Sequence, residues 1–152
     1  MTRGHRSRRQ RGIAAVELAL VLPAFVLLLA ATVFLGRTLY HYQVMQKAAH
    51  DATRYLASAP ALEVSSSARM AGTVAVARAI ADAEIADLHT GGAPPVVSVM
   101  CNGGGACAGF SVPVTVAVRI ESLLGDDLVP VNPYGLNGVD LTAQATMRYV
   151  GN

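Results

Sequence analysis

Residues 18–35, LALVLPAFVLLLAATVFL, run for 18 positions without a charged side chain. All but Pro23 and Thr32 are Leu, Val, Ala or Phe. A run this long reads as a transmembrane helix. Taken with residues 13–17 it has 23 residues, roughly 35 Å of helix, enough to cross a bilayer with some tilt. Pro23 would kink or soften it, because proline removes a backbone donor and crowds the preceding turn.

The flanks fix a direction. The net charge of +2 conceals an asymmetry: Arg3, Arg6, Arg8, Arg9 and Arg11 precede the run with no acid among them. The remainder holds seven basic against ten acidic residues. A basic stub alone suggests nucleic acid or a membrane surface. Directly before a spanning segment it is a topology signal, since basic flanks stay in the cytoplasm. Residues 1–12 are thus expected as a cytoplasmic leader, 13–36 as the span and 37–152 as an extracytoplasmic domain. A secretory signal peptide fits less well. Ala57-Ser58-Ala59 has the small-residue form, but it lies over 20 residues beyond the apolar core.

Beyond Gly36 the pattern becomes amphipathic. Tyr40, Val44, Ala48, Ala52 and Leu56 recur at i, i+4, while Arg37, Gln43, Lys47, His50 and Arg54 fall mostly elsewhere. This predicts a helix over 37–58, continuous with the span and ended by Pro60. Its stripe packs either on its own domain or on neighbouring subunits. Ser65, Ser66 and Ser67 offer capping oxygens to a second helix over 67–88, with Met70, Val74, Ala77, Ala81 and Leu88 on one side. HTGGAPP at 89–95 breaks it.

The period then falls to two. Strands are predicted at 96–101, 110–120 and 139–150. In the second, Val112, Val114, Val116, Val118 and Ile120 share a face. In the third, Val139, Leu141, Ala143, Ala145, Met147 and Tyr149 oppose Asp140, Thr142, Gln144, Thr146 and Arg148. Such alternation marks half-buried antiparallel strands, which need helices to cover the apolar face. Pro113 places its strand's start at an edge or a bulge. Residues 121–138 read as a turn-rich connection. The fold class is α+β, with a long N-terminal transmembrane helix leading into a second helix and a small antiparallel sheet.

Few residues offer chemistry. Cys101 and Cys107 flank CNGGGAC, whose glycines permit a tight turn. On an oxidising side they would close a disulfide across a hairpin tip; two free thiols are the alternative. Gly103-Gly104-Gly105-Ala106-Cys107-Ala108 matches a dinucleotide fingerprint in form only, because a strand rather than a helix follows. His5, His41, His50 and His89 have no metal-ligand spacing, and His41 and His50 are expected to be exposed. Asp126-Asp127 reads as solvated acids in a turn. No catalytic constellation, metal site or cofactor is expected, and no nucleic acid partner. Glu17 stands apart: an acid at the mouth of a spanning helix either carries a function or sits at the interface among the arginines.

The order Arg11-Gly12, then Ile13-Ala14-Ala15-Val16-Glu17-Leu18, then Ala19-Leu20-Val21-Leu22-Pro23 resembles the N-terminus of TadE-like pseudopilins, minor components of Tad (Flp) pilus systems. Phe34-Leu35-Gly36-Arg37 and Ala48-Ala49-His50-Asp51-Ala52-Thr53-Arg54-Tyr55 are similar to the family's helix after the membrane. The resemblance is clear over about residues 10–58. It implies a pilin-like fold and cleavage by a prepilin peptidase between Gly12 and Ile13. Glu17 would become the fifth residue of the mature chain and neutralise the new amino terminus of a neighbour. It further implies a companion minor pseudopilin, the major Flp pilin and an inner-membrane assembly platform as partners. The rival expectation is an uncleaved, single-span extracytoplasmic binding module in contact with membrane lipid.

Overall fold

The computed structural model describes residues 7–90, 94–107, 112–124 and 138–151. Its elements run α1 (Ser7–Ser58), α2 (Ala61–Val64), α3 (Ser67–Ile85), β1 (Val96–Cys101), β2 (Thr115–Leu124) and β3 (Val139–Arg148). The class is α+β: a long N-terminal apolar helix, further helices and a three-stranded antiparallel sheet. Contacts divide the chain into two compact units, Met1–Arg37 and Thr38–Asn152.

In the first unit, no described side chain is buried. Val16, Leu20, Phe25, Leu27, Leu28 and Leu35 are all exposed. A helix apolar on every side and covered on none is long and apolar enough to cross a membrane. The Thr32 hydroxyl donates to the Leu29 carbonyl at 2.8 Å, so this polar group makes no demand on its surroundings. Pro23 lies inside the helix, where it removes one backbone donor.

The second unit is built around a meander, β1-β2-β3, with β2 in the centre. The register aligns Val97 with Ile120 and Ile120 with Ala143, and Val99 with Val118 and Val118 with Ala145. Cys101, Val116 and Met147 form the next row. These inward rows join Met45, Ala48, Ala49, Ala52 and Leu56 of α1 and Met70, Ala77, Ala81 and Ile85 of α3 in one core. Many of these residues are alanines, which let helix and sheet backbones approach closely. Thr53 is fully buried, and its hydroxyl donates to Ala49 O at 2.6 Å and lies 3.3 Å from Ala145 O. One threonine thus meets both helix and sheet without an unpaired polar atom.

The chain end closes the unit. The Tyr149 hydroxyl donates to Ala59 O at 2.7 Å, and the Val150 and Gly151 amides both reach Ala57 O. These donors satisfy carbonyls that the end of α1 leaves without helical partners. Burial pushes the Tyr149 phenol above its usual range. Lys47 of α1 bonds Glu84 of α3 and lies 3.7 Å from Asp51. The hydrogen bond that Lys47 donates to Glu84 raises its ammonium above the usual range.

Several expectations shift. The central strand runs Thr115–Leu124 rather than 110–120; residues 110 and 111 lie outside the described part. Pro113 has no N–H to give, and a central strand must donate to both sides, so pairing starts two residues later. Val112 and Val114 are therefore exposed, while Ser122 and Leu124 continue the inner face. The helix over 67–88 ends at Ile85, and β3 ends at Arg148 rather than 150. Ser66 occupies the N-cap of α3 without a side-chain cap bond. The one-turn α2 gave no periodic signal. Tyr40, expected on the packing stripe, is exposed. His41, expected to be exposed, is buried at 4%; the expected stripe is buried at Ala48, Ala52 and Leu56, and the buried face widens to take in His41, Met45 and Ala49 beside it. The acids Asp126-Asp127 and most of the 121–138 connection lie outside the described residues.

Candidate functional site

Three places hold the residues that sequence reasoning singles out. The first is the start of α1. Gly12 and Ile13 lie in its helical backbone. Proteolytic clefts take substrate in extended form, so cleavage between them requires the helix to open locally. Glycine helps: it costs about 0.8–1 kcal/mol relative to alanine in a helix interior, which lowers the work of unwinding there. Glu17 is exposed on the same helix, between Val16 and Leu18, which are also exposed. It is the one acid in the described part of the first unit. Among the described residues nothing is folded over its carboxylate.

The second place is the turn between β1 and β2. Cys101 and Cys107 are joined by a disulfide with their Cα atoms 5.0 Å apart. The tip reverses through Asn102 (φ 52°), Gly103 (φ 85°) and Gly104 (φ 131°), backbone angles that asparagine and glycine adopt at least cost. Cys101 N donates to Gly105 O at 2.8 Å and Gly105 N donates to Cys101 O at 3.1 Å. The Asn102 side-chain oxygen accepts from Val114 N at 2.8 Å, anchoring the tip to the chain entering β2. A strand follows and no helix opens here, so the glycines do not form a phosphate cradle.

The third place is the set of clefts in the second unit. One is bounded by Asp82, Ile85, Leu88, His89, Thr90 and Pro94. Another lies by Arg119, Glu121, Asp140 and Thr142 on the polar side of the sheet, where Arg119 pairs with Glu121. Among the described residues no three His, Cys, Asp or Glu side chains converge to hold a metal. His41, His50 and His89 do not come together in any of these clefts.

Sequence periodicity missed one arrangement. Leu39, Tyr40 and Tyr42 are all exposed around the first turn of the second unit. The signal was present as a cluster of large apolar side chains directly after the span, but i, i+4 counting drew Tyr40 into the packing stripe.

Residues 12–54 match a family model described as TadE-like protein. No curated protein and no solved structure matches the chain.

Proposed function

We propose that this chain, a TadE-like protein by its residues 12–54, is a minor pseudopilin required for biogenesis of a Tad (Flp) pilus. The family is associated with the Tad pilus and is structural rather than enzymatic. The observation that carries the finer reading is the position of Glu17: five residues after Gly12, on a helix whose every described neighbour is uncovered. A prepilin peptidase in the inner membrane cuts after Gly12 and leaves the arginine-rich leader in the cytoplasm. Ile13 then carries a new ammonium, and Glu17 lies one helical turn into the mature chain. In hydrocarbon neither charge is tolerated alone, and pairing across subunits neutralises both. Four residues of helix rise about 6 Å. Pairing Ile13 of one subunit with Glu17 of the next therefore sets parallel helices about one turn out of step.

The outer unit gives the protein its place. Thr38–Asn152 is a large folded body, too bulky for the repeating subunit of a thin filament. An initiating, tip or base position fits it, with the companion minor pseudopilin, the major pilin and the assembly platform as partners. The pilus would serve adhesion, surface colonisation or export. Glu17→Ala tests the pairing role. The outer unit should remain folded and protease-resistant while processing or piliation drops sharply. Normal processing with normal piliation in that variant would refute it.

A further inference from the structure

The exposed surface of α1 in the second unit changes character within one turn. Leu39, Tyr40 and Tyr42 are 59%, 59% and 41% exposed. From Gln43 onward the exposed positions of α1 are Gln43, Lys47, His50, Asp51, Arg54 and Ser58, all polar or charged. The opposite side of the same turns is already satisfied by the fold, with His41 and Met45 buried. Own-domain packing therefore does not explain Leu39, Tyr40 and Tyr42, which stand around the remaining sides of the helix. A helix whose outward residues switch from apolar-aromatic to charged is bathed by two different media on either side of the switch.

We infer that Leu39, Tyr40 and Tyr42 form an interfacial collar seated among lipid headgroups and the upper acyl chains, with the water boundary at Gln43. The occupant follows from the chemistry. Tyrosine has an apolar ring and a polar tip, which suits the headgroup level of a bilayer. The Tyr42 hydroxyl accepts from Gln46 Nε2 at 2.9 Å, so its polar end points back along the helix toward the charged section. Leu39 stands at the opposite, span-proximal end of the collar in sequence, four residues after Leu35. Below the collar the half-buried Arg37 separates it from the apolar run. An arginine stem lies along apolar surface while its head reaches headgroup phosphates, so cation and tyrosines suit the same interfacial level, with the charged section beyond. The collar fixes how deep the helix sits, and so where the outer unit starts relative to the membrane. The inference rests on the reading that residues 18–35 span the bilayer.

The chain contains no tryptophan, so each single substitution to tryptophan yields a unique fluorescent probe. Full-length Tyr40→Trp, Phe25→Trp and Arg54→Trp would be reconstituted into phosphatidylcholine vesicles, with quenching by brominated lipids and by aqueous acrylamide. For Tyr40→Trp, bromines near the headgroup should quench more than bromines near the chain ends, with a blue-shifted emission maximum and weak acrylamide quenching. Arg54→Trp should respond to acrylamide and not to bromines. A Tyr40→Trp probe quenched only by acrylamide would overturn the collar. One quenched by neither agent would also overturn it, because protein would then cover the position. Phe25→Trp separates the two ideas: if deep bromines quench it while Tyr40→Trp sits in water, the span stands and the collar fails. If deep bromines leave Phe25→Trp untouched, the spanning reading itself fails.

Discussion

Within hydrocarbon Glu17 would cost free energy, because its neighbours on α1 are Val16, Leu18 and Leu20, all exposed and apolar. That cost is the reason to give it a partner rather than a packing role. The glycines divide in the same physical way. A Cβ on Gly138 would lie 2.4 Å from the Leu124 carbonyl oxygen, at a φ of +95°. No side chain fits there without moving the backbone that pairs Leu124 with Val139. Gly138→Ala should therefore destabilise the full-length protein in detergent by roughly 1–3 kcal/mol, from strain alone. Chemical denaturation followed by circular dichroism would read it, and an unchanged midpoint would refute the close approach. At this scale the sequence was readable where chemistry is local: the turn glycines and the lone acid stood out. Burial was not. His41 looked polar and exposed but lies inside, because the buried face of α1 is wider than the i, i+4 stripe and takes in the row of His41, Met45 and Ala49.

Among the elements, β1 was legible from its β-prone residues and β3 because alternation survives along it, whereas β2 was shifted by five residues at its start. Its valines begin at Val112, and periodicity cannot say that the strand lies centrally and must donate hydrogen bonds to both neighbours. Its end was hidden by Glu121 and Ser122, which resemble a turn in isolation but continue the inward and outward alternation in the sheet. The β1–β2 turn carries its own staple. Cys101 and Cys107 are six positions apart, and closing a loop this short restricts the unfolded chain by about 2 kcal/mol in the chain-entropy account. Reduction, or Cys101→Ser with Cys107→Ser, should lower stability by about that amount while leaving the sheet folded. Intact mass before and after reductant checks the bond: a gain of about two hydrogens is expected on reduction. Identical masses would show free thiols in the cell.

The molecule comprises a helix apolar enough to cross a membrane and a folded second unit, and the two respond to solvent differently. Alkali acts on the outer unit. Lys47, held by Glu84, and Tyr149, half-buried with its hydroxyl on Ala59 O, both keep their protons more tightly than in the unfolded chain, whose ordinary values are 10.5 and 10.0. The unfolded state releases those protons first, so stability is fully present below about pH 10 and falls as pH rises through the two shifted values. Thermal melts in detergent should show the decline above that pH, and Tyr149→Phe should weaken its steepness. A profile flat beyond pH 10 would contradict the role of the chain end. The division into anchor and α+β body was visible from composition, since no other stretch matches residues 18–35. The full width of the buried face of α1 was not, because alanine-rich faces carry too little contrast to mark their edges. The central claim concerns the anchor's first residue. Intact-mass and terminal peptide analysis of the protein extracted from membranes of cells with an active prepilin peptidase should find Ile13 as the first residue; an intact Met1 or Thr2 terminus would contradict the account.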